Sequence, residues 1–218
     1  MPTIDTSAYK AIFTNRAYNA IIAESKRMSP KETGGNFMGY FLDTGYWVVM
    51  EVLLPGPRSE HNECCFEYDD KYLNYTAKGI SAQYEHPIEV IGLWHRHPGS
   101  MDVFSGMDGK TNSDFAARFT YGAISALVNF DPSFRLTLYH VSPQPVFQTP
   151  LSYVKTCVKN AVSSLSQRQT IPTPKYTKIE HWVGDDLIPS HLFQLRYYPP
   201  KEKQTTTTNC YEHTDKTS

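Results

Sequence analysis

His95 and His97 stand two positions apart, Pro98 follows at once, and Ser105 and Asp108 come six residues further on, so that the segment reads H-x-H-P, six residues, S-x-x-D. Two histidines at i and i+2 on an extended strand project from the same face, and both imidazoles can reach one ion. Pro98 then forces the chain out of the sheet. A carboxylate eleven residues after the second histidine, on the first turn of a following helix, can return to complete a set of two nitrogens and one oxygen. Three protein ligands leave a fourth position for water, the open arrangement of a catalytic zinc rather than the closed one of a structural zinc. Imidazole and carboxylate suit zinc better than they suit magnesium or calcium, which prefer oxygen alone; iron or cobalt would also fit. Ser105 lies three residues before Asp108, so within a helix the two share a face, and a hydroxyl there can donate to an oxyanion.

Each of these residues alone has an ordinary reading. A single histidine is usually a satisfied polar residue, Ser105 suits a helix N-cap, and Asp108 suits the positive end of a helix dipole. The set is harder to dismiss. Five fixed positions, each at about one residue in twenty, recur by chance in a chain of this length on the order of one time in 10⁴.

The elements that must hold this segment are legible in the periodicity. Tyr18, Ile21, Ile22 and Met28 fall at helical spacing and predict a helix over 15–28, stopped by Ser29-Pro30 just before Glu32. Residues 36–43 and 46–54 are apolar and β-branched runs either side of Thr44-Gly45, which predicts a hairpin. Leu73, Ala77, Ile80 and Tyr84 predict a second helix, residues 88–94 a buried strand, and residues 106–119 a third helix. Residues 123–130 and 134–141 predict a strand pair across Asp131-Pro132-Ser133. Beyond Ser142 prolines interrupt the periodicity, although Leu151, Val154, Val158, Val162 and Leu165 keep helical steps. The order of elements predicts a mixed α/β domain, with helices packed against a curved, largely antiparallel sheet.

A chain of 218 residues, 40% hydrophobic and 20% charged, suffices for one core and is short for two. The expected organisation is a domain over 1–141, an extension over 142–200 packed on it, and a disordered polar tail over 201–218. A net charge of −1 with interspersed signs lacks the positive field that a nucleic-acid or anionic-membrane partner usually needs. No stretch approaches a membrane span or a signal peptide, which predicts a cytoplasmic protein. Cys64, Cys65, Cys157 and Cys210 match neither a disulfide framework nor a C-x-x-C knuckle, and are expected to be free thiols.

The signature H-x-H-P-x₆-S-x-x-D resembles that of the JAMM or MPN metalloproteases, and Glu32-Thr33-Gly34-Gly35-Asn36-Phe37-Met38-Gly39 is similar to the E-x-G-G-x-x-x-G of their prokaryotic JAB branch. The resemblance covers about residues 15–141. It implies a cytidine-deaminase-like α/β fold, one zinc ion on His95, His97 and Asp108, Glu32 as general base, and Ser105 steadying the tetrahedral intermediate. Glu32 is assigned by resemblance alone, since 63 positions separate it from His95. Gly34 and Gly35 also read simply as glycines at the start of a strand. Arg96 departs from the small Ser or Thr that many members place between the histidines; on a strand it points away from the metal. Trp94 reads as core.

The resemblance further implies an isopeptidase acting on a ubiquitin-like protein or its conjugates, in the company of activating and conjugating enzymes. The Glu-Thr-Gly-Gly opening points to a bacterial source, where the resemblance implies a part in modifier systems that serve antiphage defence. A zinc hydrolase of small peptides or carrier-linked amino acids, and a non-catalytic scaffold of the same fold, are the alternatives. The first predicts activity on short amides, the second no bound zinc.

Overall fold

The computed structural model describes residues 9–143 and 175–198. The chain opens with a short strand, β1 (Lys10–Phe13), and a helix, α1 (Asn15–Met28), whose span is the one the periodicity predicts. Thr14 caps this helix by accepting the Ala17 N–H at 3.1 Å and ties it to the sheet by donating to the Met50 carbonyl at 2.9 Å. Ala17, Ile21, Glu24 and Ser25 form its buried stripe, and Lys26 and Arg27 suit the negative end of its dipole.

The expected hairpin is present as β2 (Thr33–Phe41) and β3 (Tyr46–Leu53), turning through Gly45 at φ +85°. A small hairpin follows, β4 (Glu60–His61) and β5 (Phe66–Glu67), and then α2 (Asp70–Ser81), capped by Asp69. The buried strand β6 (Glu89–Arg96) runs two residues further than its apolar pattern, because its ladder with β2 continues to Thr33↔Arg96. After it come α3 (Gly106–Ala116), β7 (Ala123–Asn129) and β8 (Arg135–Val141). Every residue of β7 is buried, as expected for a strand covered on both faces.

The described part of the C-terminal region adds β9 (Tyr176–Lys178) and β10 (Glu180–Val183), then two short 3-10 turns. The eight-stranded sheet runs β10-β1-β3-β2-β6-β7-β8-β9 and is mostly antiparallel; β1 is parallel to both its neighbours and β6 is parallel to β7. Only Ile179 separates β9 from β10, yet they sit at opposite ends of that order. One extended run therefore pairs first with β8 and then with β1, so the sheet curves until its two edges are joined. The helical pattern over 151–165 and the polar tail over 201–218 lie outside the described residues.

Alternate strand residues build a core on each face. Ala11, Phe13, Phe37, Trp47, Val49, Trp94 and Ile124 pack with Ala17 and Ile21 of α1. Ile12, Met38, Val48 and Met50 face the other way and pack with Leu73 of α2 and with Ile188 and Leu192 of the 3-10 turns. Trp94 thus belongs to the core, as its apolar setting suggests. Among the described residues no helix is long and apolar enough to cross a membrane.

Candidate metal centre

β6 delivers the two histidines. His95 is its penultimate residue, and His97, just past its end, keeps the ladder with β7 by donating its N–H to the Val128 carbonyl at 3.0 Å. The alternation that turns both imidazoles to one side turns Arg96 to the other. The chain then leaves the sheet and returns at the N-terminus of α3, where Ser105 is the N-cap and Asp108 occupies the third helical position. Ser105 accepts the Asp108 N–H at 3.2 Å and gives its own N–H to Asp108 Oδ2 at 2.7 Å, a reciprocal capping box. The cap fixes the carboxylate and uses the Ser105 hydroxyl only as acceptor, leaving its proton available to a second partner.

The ligand atoms of His95, His97 and Asp108 all lie within 4.8 Å of one another. His95 Nε2 is 2.9 Å from His97 Nε2 and 3.4 Å from Asp108 Oδ1, and His97 Nε2 is 3.5 Å from Asp108 Oδ2. Four donors bonded tetrahedrally to zinc at about 2.0–2.1 Å are spaced about 3.3 Å apart, so the set fits a single ion. The donor chemistry agrees: two ring nitrogens and a carboxylate converge edge to edge, an arrangement that a shared cation stabilises. Burial alone would raise the Asp108 carboxyl. Hydrogen bonding to His95 and His97, the charge of His95 and hydrogen bonding to Ser105 outweigh it and hold the group far below the usual carboxylate range.

Glu32 reaches this centre through strand register. β2 pairs antiparallel to β6 with Gly34 opposite His95 and Thr33 opposite Arg96, which brings Glu32, one step before β2, level with His97. A Cβ on Gly34 would lie 2.4 Å from the Trp94 carbonyl oxygen and 2.9 Å from both His95 Cβ and the Phe66 ring, so glycine is what lets the strands close at the site. Glu32 gives its N–H to the Asn62 carbonyl at 2.7 Å, and its carbonyl accepts from His61 Nδ1 at 2.9 Å. Burial pushes the Glu32 carboxyl up; His97, His95 and Arg96 pull it down, Asp108 pushes the same way as burial, and the net displacement is upward. A carboxylate displaced in that direction suits proton transfer near neutral pH.

Sequence reasoning missed three features of this region. Arg96 is 4% exposed and donates through Nη1 to the carbonyls of Pro30 and Lys31, at 2.8 and 2.6 Å, and through Nη2 to Ser29 Oγ at 3.2 Å. Phe104, 5.8 Å from the His95 ring, stacks on Tyr176 at 4.6 Å, so β9 lends an aromatic wall from a proline-broken stretch that periodicity could not read. Met101, Val103 and Met107, in the stretch of chain between His97 and Asp108, are 60, 68 and 78% exposed; isolated apolar residues in a polar, glycine-containing stretch are the one hint of them. Cys64 and Cys65 are free and exposed at the tip of the β4–β5 hairpin; the other two cysteines lie outside the described residues.

A strongly curved mixed α/β sheet with a two-histidine, one-aspartate cluster at the end of a central strand defines a JAB-type domain. The chain belongs to the family described as prokaryotic homologs of the JAB domain, which matches residues 14–137. Among solved structures it is similar to the solution structure of protein DSY2949 from Desulfitobacterium hafniense, at 12% identity and a TM-score of 0.52, over 83% of this chain and 97% of that one. That likeness speaks for the fold alone. No curated protein matches the chain.

Proposed function

We propose that this protein is a zinc-dependent isopeptidase or peptidase that removes or processes a ubiquitin-like modifier. The observation that carries the reading is the convergence of the His95, His97 and Asp108 ligand atoms on one point, with Glu32 brought level by the β2–β6 register. A zinc ion held by those three side chains would supply Lewis acidity and bring the pKa of a water down toward about 7. Glu32 orients that water and takes its proton as the oxygen attacks the amide carbon. Ser105 turns its free hydroxyl proton toward the developing oxyanion. When the C–N bond breaks, Glu32 returns the proton to the departing amine, so water and an amide become a carboxylate and an amine with no covalent bond to the protein.

The exposed Met101, Val103 and Met107 favour a folded protein substrate over a short peptide, since an apolar rim of this kind is better covered by another protein's surface than by a single residue. The reading carries with it a bacterial cytoplasm, a modifier system with its own activating and conjugating enzymes, and a place in antiphage defence. The test is cleavage of a panel of ubiquitin-like fusions and isopeptide conjugates, with and without chelator. Chelator-sensitive cleavage after the modifier's last residue supports the reading. Zinc bound without cleavage of any conjugate, but with hydrolysis of short amides, replaces it with a small-substrate hydrolase; a protein that binds no zinc is a scaffold.

A further inference from the structure

The metal ligands are fixed by a strand end and a helix cap, but the proton-transferring carboxylate stands on neither. Glu32 lies between the end of α1 at Met28 and the start of β2 at Thr33, in a stretch of connecting chain. Such a stretch is free to shift unless something holds it. The backbone of Glu32 itself is held at both polar groups by the β4–β5 hairpin, through Asn62 and His61. What sets the direction from which the chain arrives is the turn of residues 29–31, and that turn is gripped from below by Arg96.

We propose that Arg96 is a positioning residue for the base: its guanidinium, on the face of β6 opposite the metal, fixes the turn that aims Glu32 at the site. This role rests on reading Glu32 as the base of the hydrolysis. The arrangement is economical in sequence, because the residue between the two ligand histidines locks the chain that carries the base. The fork reaches two successive carbonyls through one nitrogen and the Ser29 hydroxyl through the other, a planar geometry that arginine supplies and a small residue cannot. Because alternation directs Arg96 away from the ligands, its removal leaves the ligand side chains in place. Because Asn62 and His61 still hold Glu32, its removal loosens the approach rather than releasing the strand.

The test compares Arg96→Gln and Arg96→Lys with the unchanged chain in zinc content, steady-state kinetics on the cleaved conjugate, and amide hydrogen exchange over residues 29–33. The expected result for Arg96→Gln is one bound zinc, a kcat lower by about 10- to 100-fold with KM unchanged, and faster exchange confined to residues 29–33. Arg96→Lys, which keeps the charge and a donor centre for the carbonyls, recovers part of both. A wild-type kcat in Arg96→Gln overturns the proposal, as does loss of zinc, KM and exchange protection across the whole sheet, which marks a purely structural residue. If the unchanged chain cleaves none of the substrates, the hydrolase reading has failed by itself; exchange over residues 29–33 still judges the clamp, and unaltered exchange in Arg96→Gln removes it.

Discussion

His95, His97 and Asp108 lie within fourteen consecutive residues and are placed by local devices, a strand end and a reciprocal helix cap, whereas Glu32 comes from a connecting turn that is held by two distant parts of the chain, the β4–β5 hairpin and Arg96 of β6. On the proposed function, metal affinity and proton transfer are built on different supports. One can be damaged without the other.

The largest effect expected from setting the two halves apart is on the ligand side. His97→Ala removes a donor from the convergent set, and zinc content below one equivalent together with complete loss of cleavage, by metal analysis and conjugate assay, is the outcome. Full zinc occupancy in that variant would break the division. On the other side, Glu32→Gln keeps one zinc and lowers kcat by about 10²- to 10⁴-fold, the range of a lost general base. Zinc loss in that variant would show that the halves are not independent.

Ser105 stands on the border, since it caps the helix that carries Asp108 and, on the proposed function, offers a proton to the oxyanion. Ser105→Ala should cost about 1 kcal/mol of stability from the cap, read as a lower urea midpoint, and about 10²-fold in kcat. A stability loss with unchanged kcat would assign Ser105 to the ligand half alone. The smallest effect lies away from the site, on β8. His140 is buried, which lowers its pKa, and its Nε2–H donates to the Tyr121 carbonyl at 2.7 Å. The unfolded chain takes up the proton near the ordinary value of about 6.5 while the folded one resists it, so stability is full above that value and falls as pH drops below it. The urea midpoint should decline from pH 7 to pH 5, and less steeply in His140→Phe; His181, lowered by burial in the same way, accounts for part of what remains.

The same division explains how far the sequence could be read. α1, the β2–β3 hairpin and the H-x-H-P segment announce themselves because their information is local: a period, a turn pair, a spacing. The resemblance supplied Glu32, and the β2–β6 register supplies the physical reason, which no spacing across 63 positions contains. β1 is four residues long, too short to show a period, and β9 and β10 follow a proline-broken stretch, so neither gave a signal. Arg96 could be assigned a direction by alternation but not a partner, because the carbonyls it grips are about 65 residues away and belong to a turn.

The strands that join the sheet's edges lie outside the stretch matched by the family, which ends at residue 137 and begins after β1. Where the chain departs after β8 and where it returns before β9 are neighbours, the Ser142 N–H bonding the Lys175 carbonyl at 3.1 Å. Those two points lie close together, so the returning run is a clasp on the sheet's two edges, and the expectation is that it can be supplied in trans. A circular permutant opened between residues 143 and 175, or two fragments divided there and mixed, should assemble the same closed sheet, and the fragment ending at residue 143 should by itself expose two unpaired edges and self-associate.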